Sequence, residues 1–210
     1  MKIELKCRQL LDIIETHSPV LVYGEAASGK TIFTLSIAYT LSTRLGAKPV
    51  LITTEPQSTL PAASRILPAY AEIHIAYSLA DIAEQIVEIA QVHRQRVILV
   101  IDSLTAPYRL EVWSDPILAT KLLAFTLAVL YKLSNRYPVL VVSQVHENPE
   151  EGGEEPVAYD VTSNYAHLAI RIQRVADGTR LIVIHYPSND SKVLFEAHMT
   201  IAEGLVEIEC

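Results

Sequence analysis

The chain has 210 residues, 50% of them apolar, so it can bury a sizeable core, and we expect a single domain over residues 1–210. Its net charge of −7 excludes a surface that binds nucleic acid non-specifically, because such a surface needs a basic stripe. The two cysteines, Cys7 and Cys210, fit neither a disulfide framework nor a metal cluster, and we expect both to be bystanders.

The N-terminal 17 residues carry charges throughout and lack the apolar centre of a signal peptide. We expect no apolar run that reaches the roughly 18 residues of a membrane span. We therefore expect a cytoplasmic protein that does not contact a membrane.

Short β-rich runs alternate with helical patterns over the first 143 residues. Strands are predicted at 19–23, 49–54, 71–76, 96–102 and 137–143, and helices near 30–45, 58–69, 79–93 and 116–136. Strands that are apolar on both faces are typical of a parallel sheet covered by helices on each side, so the predicted class is α/β. After residue 165, alternating strands around an Asp-Gly pair predict an antiparallel hairpin region.

The segment that follows the first long apolar strand has the P-loop pattern G-x-x-x-x-G-K-[ST]. It consists of Gly24, Glu25, Ala26, Ala27, Ser28, Gly29, Lys30 and Thr31, with Ile32 next in the predicted helix. Glycines let backbone N–H groups turn toward a phosphate, and the helix N-terminus adds partial positive charge. Lys30 would neutralise phosphate charge and Thr31 would offer its hydroxyl to Mg²⁺. The alternative is a strand-to-helix turn without a ligand.

Two carboxylates at strand ends complete the pattern. Asp102 ends the apolar strand at 96–102, as expected for the residue that holds Mg²⁺ through its water shell; the alternative is an Asp that caps the next loop. Glu55 follows the strand at 49–54 and could orient or deprotonate the attacking water; alternatively it is a solvated strand end.

Beyond these motifs, the chain resembles the RecA/RadA recombinase superfamily, and within it archaeal RadB-type proteins or other RadA paralogues, over nearly its whole length. The resemblance is carried by "YGEAASGKT", "VLITTE", "VILVIDSLTAPYRLE" and "YPVLVVSQV". It implies a RecA-like P-loop fold: a mainly parallel twisted sheet flanked by helices, with antiparallel strands at the C-terminal end. It also favours ATP over GTP. The family's helix-hairpin-helix DNA-binding domain has no counterpart in these residues.

The resemblance also assigns roles. Glu55 becomes the water-activating carboxylate, and Gln144 the sensor that couples the γ-phosphate to the following DNA loop. Arg65 resembles the arginine that covers the adenine but lies two residues farther from the Glu than in that pattern, and a helix-surface arginine is the alternative.

Two departures from the family pattern weaken DNA binding and catalysis. The segment 147–160 that should form the second DNA loop is acidic, with no Lys or Arg from Tyr137 through Ile170, so at most weak binding of single-stranded DNA is expected. Other candidate DNA contacts are Arg109, Arg171, Arg174, Tyr108 and Trp113. The late strand where recombinases carry basic residues for a neighbour's phosphate reads "IHYPSND", in which His185 alone could substitute, so we expect slow turnover.

Two function hypotheses follow. The first is a paralogue that binds ATP and Mg²⁺, hydrolyses ATP weakly, and assists a RadA-type recombinase or another paralogue in recombination and repair. The second is a nucleotide-loaded protein-interaction module without significant hydrolysis or DNA binding. A small-molecule kinase is a third reading, but no arginine-rich lid segment is present. The oligomeric state is left open.

Two helical segments have alternative partners. The apolar segment 116–137 could be buried in its own domain or present a docking face, and the amphipathic N-terminal stretch could pack on its own core or on a neighbour.

Overall fold

The computed structural model describes residues 2–93, 95–147, 154–176, 178–187, 189–202 and 205–210. The strands are β1 (Lys2–Leu5), β2 (Val20–Tyr23), β3 (Lys48–Thr53), β4 (Glu72–Ile75), β5 (Val97–Asp102), β6 (Val139–Ser143), β7 (Val145–Glu147), β8 (Glu154–Pro156), β9 (Leu168–Ala176), β10 (Thr179–Tyr186), β11 (Asn189–Ala202) and β12 (Leu205–Glu209). The helices are α1 (Arg8–Thr16), α2 (Lys30–Leu45), α3 (Pro56–Ile66), α4 (Leu79–Val92), α5 (Thr105–Glu111), α6 (Pro116–Leu133) and α7 (Tyr159–Thr162).

Ten of these strands form one sheet in the order β1-β12-β11-β10-β9-β2-β6-β5-β3-β4. The half from β2 to β4 is parallel, as its continuous apolar strands predict, and its register places Thr53 of β3 opposite Asp102 of β5. The predicted α/β class is therefore confirmed.

The other half of the sheet is antiparallel. Each strand from β9 to β12 pairs antiparallel with the next strand along the chain. The strand β9 joins this half to the parallel half, because it pairs parallel with β2. The predicted antiparallel C-terminal region is thus confirmed. At the far edge β1 pairs parallel with β12, a pairing that the sequence analysis did not predict.

Helices cover both faces of the sheet, so alternate residues of β5 are buried in two different hydrophobic cores. Ile98 and Val100 lie in a core with α1 and α2, whereas Leu99 and Ile101 lie in a second core with α4 and α6. This two-sided burial explains why the strand is apolar at every position.

The N-terminal stretch packs on its own chain, because α1 buries Leu10, Leu11 and Ile14. Just before it, Cys7 is fully buried and forms a disulfide with Cys210, with 5.3 Å between their Cα atoms. The expectation that the two cysteines are bystanders is therefore wrong. The pairing of β1 with β12 brings them together, and spacing in a sequence gives no sign of such a long-range contact.

The helix α6 is the one described helix that is long and apolar enough, by length and composition alone, to cross a membrane. This differs from the expectation that no segment reaches that length. One face of the helix is buried in the core next to α4, with Leu123, Leu127 and Leu130 inside. A core helix meets the same criteria, so length and composition are weak evidence here.

Candidate nucleotide site

The predicted site residues converge at the carboxyl ends of the parallel strands, where ligands bind in open α/β sheets. A cleft of about 640 Å³ opens there. It is lined by Gly24, Ala26, Ala27, Gly29, Lys30, Thr31, Ile32, Glu55, Ser58, Ala62, Asp102, Ser103, Arg109, Val142, Gln144 and Val145. This volume lies in the range of pockets that take ligands of nucleotide size.

The strand behind the P-loop requires a glycine at position 24, and the positive φ favours one at position 29. A Cβ on Gly24, which has φ +149°, would lie 2.2 Å from the carbonyl oxygen of Ile172 in β9. A Cβ on Gly29, with φ +98°, would lie 3.0 Å from Ile201 and 3.2 Å from Met199, both in β11. The loop therefore packs directly against the antiparallel half of the sheet.

Lys30 begins α2 and folds back into the loop. Its Nζ donates hydrogen bonds to the carbonyl oxygens of Gly24, at 2.8 Å, and Glu25, at 2.7 Å. Burial lowers the pKa of Lys30, against the opposing charges of Asp102 and Glu55. A largely buried cation that donates hydrogen bonds to carbonyl oxygens is positioned to bind a stronger anionic group.

Thr31 and Asp102 meet beside the lysine. The Thr31 hydroxyl donates to Asp102 Oδ2 at 2.7 Å, and Asp102 is 3% exposed. Burial raises the pKa of Asp102 to about 6, although the hydrogen bond from Thr31 opposes that shift. The alternative role for Asp102 is a cap on the next loop. That contact is made by Ser103 instead, because its Oγ accepts a hydrogen bond from the amide of Ala106. A hydroxyl beside a buried carboxylate is the donor set expected for Mg²⁺ with its water shell.

Glu55 lies at the mouth of the cleft, immediately before α3. Its backbone N–H donates to Thr53 Oγ1, and its exposed side chain caps no helix. The preceding Thr54 is fixed against the Asp102–Ser103 strand end, since its hydroxyl donates to Ser103 O at 2.9 Å. Glu55 is thus anchored through its backbone, and its charge acts on both Lys30 and Asp102 in the cleft.

Gln144 follows β6 on the opposite wall. Its side-chain oxygen accepts from an Arg109 guanidinium nitrogen at 2.9 Å, and its N–H donates to Thr105 Oγ1. The contact joins the residue after β6 to α5.

Three predicted nucleotide-binding residues are not among those lining the cleft. Arg65 is exposed in the last turn of α3, whose cleft-facing residues are Ser58 and Ala62. Its adenine contact remains a prediction. Glu25 contributes its backbone carbonyl to Lys30, and the Ser28 side chain is buried beneath the loop.

Two arginines that the sequence analysis did not assign to the nucleotide site contact the P-loop backbone. Arg180 Nε, in β10, donates to Ser28 O at 2.9 Å, and Arg174, in β9, donates to Ala27 O at 3.2 Å. The only sequence signal is a basic residue on each side of the predicted Asp-Gly turn, and nothing local links that turn to a loop some 150 residues earlier.

His185 cannot take the role considered for it. It is 2% exposed in β10, its Nε2 shares a hydrogen bond of 2.7 Å with the Tyr23 hydroxyl, and its Nδ1 lies 3.0 Å from Tyr186 O. A side chain enclosed in this way does not reach a neighbouring subunit. The sequence could not show this, because the burial depends on contact with Tyr23 in β2, which lies 162 positions earlier.

The acidic segment is only partly described. Residues 148–153 lie outside the described residues, while β8 pairs with β7 beside Gln144, and Val157 N–H donates to Gln144 O. The prediction that this segment repels DNA stays a prediction.

The fold and the P-loop sequence pattern together define a RecA-like P-loop architecture. Among solved structures, the chain is similar to a structure titled as the RadB recombinase, with a TM-score of 0.62 and 23% identity over 90% of this chain and 89% of the other. No family model matches the sequence, and no curated protein matches it. The likeness confirms the predicted fold, including its antiparallel C-terminal strands.

Proposed function

We propose that the protein binds ATP with Mg²⁺ in this cleft and hydrolyses it slowly. Lys30 and the loop amides would hold the phosphates, and Thr31 and Asp102 would hold the metal ion. Bound Mg²⁺ would supply positive charge to the phosphate oxygens.

The observation that carries the proposal is the 2.7 Å contact between Thr31 and Asp102 inside the cleft. Asp102 is kept in a position where burial penalises its charge, as its raised pKa records. A carboxylate whose burial is unfavourable, and which lies beside a P-loop, is better explained by a role in binding a cation than by a contribution to the stability of the fold.

We expect slow turnover because a positive charge that would stabilise the transition state from a neighbouring subunit is missing. Glu55 can orient water at the cleft mouth, but His185 is buried, so it offers no charge to a neighbour's phosphate. Missing stabilisation of a phosphoryl-transfer transition state lowers rates by orders of magnitude.

In the cell, we propose that this ATPase assists a RadA-type recombinase or another paralogue in homologous recombination. The RecA-like fold and the likeness to a structure titled as RadB recombinase support this role. Binding of single-stranded DNA would be weak, since the acidic strand β8 borders Gln144.

The test is ATP turnover with Mg²⁺, with and without single-stranded DNA. We expect a slow rate that DNA raises, and a Glu55→Gln variant that retains ATP binding but loses turnover. Glu84→Gln, at an exposed position of α4, is the matched control and should behave like the unmodified protein. Absence of ATP binding in the unmodified protein would contradict the proposal.

The buried His185 and the acidic strand also favour a second function, a nucleotide-loaded module that binds a protein partner. It predicts tight ATP binding with a turnover rate near zero that DNA does not change. The same assay therefore separates the two functions.

A further inference from the structure

Arg174 and Arg180 lie directly opposite each other on the paired strands β9 and β10. Like charges in this arrangement repel and destabilise a sheet. Among the described residues, no ion pair involves either guanidinium group, so no carboxylate offsets the repulsion there. The pair therefore needs another explanation.

Both side chains find their acceptors in the P-loop. Arg174 bonds Ala27 O and Arg180 bonds Ser28 O, two consecutive carbonyl groups of the loop. Arg180 also donates to Thr179 O at 3.0 Å and Ala176 O at 3.3 Å, which ties its guanidinium to the β9–β10 turn. It is thus a bridge between that turn and the loop.

The carbonyl contacts affect the amides that would bind phosphate. In a trans peptide, the C=O and N–H groups point in opposite directions. When Arg180 holds Ser28 O toward β10, the N–H of the same peptide, which belongs to Gly29, turns the other way. Gly29 lines the cleft on one side, and a Cβ on its other side would meet Met199 and Ile201, so that direction is the cleft.

We propose that Arg174 and Arg180 are positioning residues that hold the P-loop carbonyls from behind, and that Arg180 thereby keeps the Gly29 amide facing the phosphates. The Ser28 amide, which belongs to the peptide that Arg174 holds, donates to Glu25 O, so Arg174 supports the turn of the loop itself. This inference rests on the proposed nucleotide binding. The two residues act through the Ala27 and Ser28 peptides rather than on the nucleotide itself. The antiparallel half of the sheet thereby becomes part of the phosphate site.

The first experiment measures affinity for inorganic tripolyphosphate and for ATP by calorimetry. Arg180→Met should lose about tenfold in affinity, since a hydrogen bond from a charged group is removed, and Arg174→Met should lose less. Arg136→Met is the matched control, because Arg136 lies over the Tyr137 ring away from the cleft, and its affinity should not change. Unchanged affinity in Arg180→Met and Arg174→Met would overturn the inference.

Arg180→Lys separates position from charge. A lysine keeps the positive charge but lacks the planar fork that reaches Ser28 O and the turn together, so it should restore less than half of the lost affinity. Full recovery would mean that charge alone matters, and the positioning role would be wrong.

Amide hydrogen exchange of the ligand-free protein decides the question without nucleotide. Peptides covering residues 24–31 should exchange faster in Arg180→Met and Arg174→Met, and peptides from β5 should not. Exchange equal to that of the unmodified protein would overturn the inference. Arg174→Met changes an exposed side chain and should fold even if Arg180→Met does not. If the unmodified protein binds neither ligand, the proposed function fails, while the exchange result still decides the role of the arginines.

Discussion

The parallel and antiparallel halves of the sheet contribute to the cleft in different ways. The parallel half supplies the groups that would touch a nucleotide: the loop after β2, Asp102 at the end of β5 and Gln144 after β6. The antiparallel half supplies what lies behind the loop, namely Ile172, Met199 and the two arginines. Chemistry and support are thus divided between two regions that are far apart in sequence. Substitutions in each of the two regions test this division.

The largest effect is expected where the halves touch most closely. Gly24→Ala should lower the free energy of unfolding by about 4 kcal/mol, because the new Cβ would meet the Ile172 carbonyl and the residue would be strained at its positive φ. Denaturant unfolding measures the loss. Gly46→Ala is the matched control: it also has positive φ but nothing within 4 Å, so it should cost about 1 kcal/mol. Equal losses in the two variants would mean that the contact with β9 is unimportant.

The disulfide is expected to have the next largest effect, because it fastens the outer edge of the antiparallel half. Cys210→Ser should lower stability by about 3 kcal/mol, since the bond links residues 203 positions apart. Thermal unfolding with and without reductant measures it. Reductant should destabilise the unmodified protein and leave Cys210→Ser unchanged; a fall in both would show that the disulfide is not the cause.

In the parallel half, burial of the ionised Asp102 carboxylate lowers the stability of the folded protein. Its folded-state pKa of about 6 lies above the unfolded value, so stability falls as pH rises through the interval between them and stays lower above pH 6. Asp102→Asn should therefore stabilise the ligand-free protein by about 2 kcal/mol at pH 8, with little gain at pH 4. The same variant should lose the Mg²⁺ dependence of ATP binding. A pH-independent difference in unfolding temperature between the two proteins would contradict this account.

The smallest effect is expected at β4, the edge strand of the parallel half, which lies away from the cleft. Glu72 in β4 accepts hydrogen bonds from Lys48, at 2.6 Å, and from His74, and the bond from Lys48 is the main cause that lowers its pKa to about 2. Because the side chains are partly exposed, Glu72→Gln should cost about 0.5 kcal/mol at neutral pH. The loss should disappear as pH falls toward 2 and Glu72 becomes protonated. ATP affinity should not change, and a change would extend the site to this edge of the sheet.

The division between the halves also explains what the sequence could and could not predict. The glycine spacing before Lys30 and the apolar strand before Asp102 are local patterns, and they predicted the parallel fold and several of the residues that line the cleft, although not Ser58 or Ala62. The contacts of Arg174, Arg180 and Cys210 join residues more than 140 positions apart. They depend on contacts between strands and loops that lie far apart in sequence, which no local pattern encodes. The burial of His185 escaped prediction for the same reason.

The most direct test of the central claim is calorimetric titration of the protein with ATP and Mg²⁺, beside a Lys30→Ala variant. The account predicts saturable binding by the unmodified protein and at least about tenfold weaker binding by Lys30→Ala, whose lost ammonium group would have met the phosphates. No heat of binding in the unmodified protein, or equal affinity in Lys30→Ala, would contradict it.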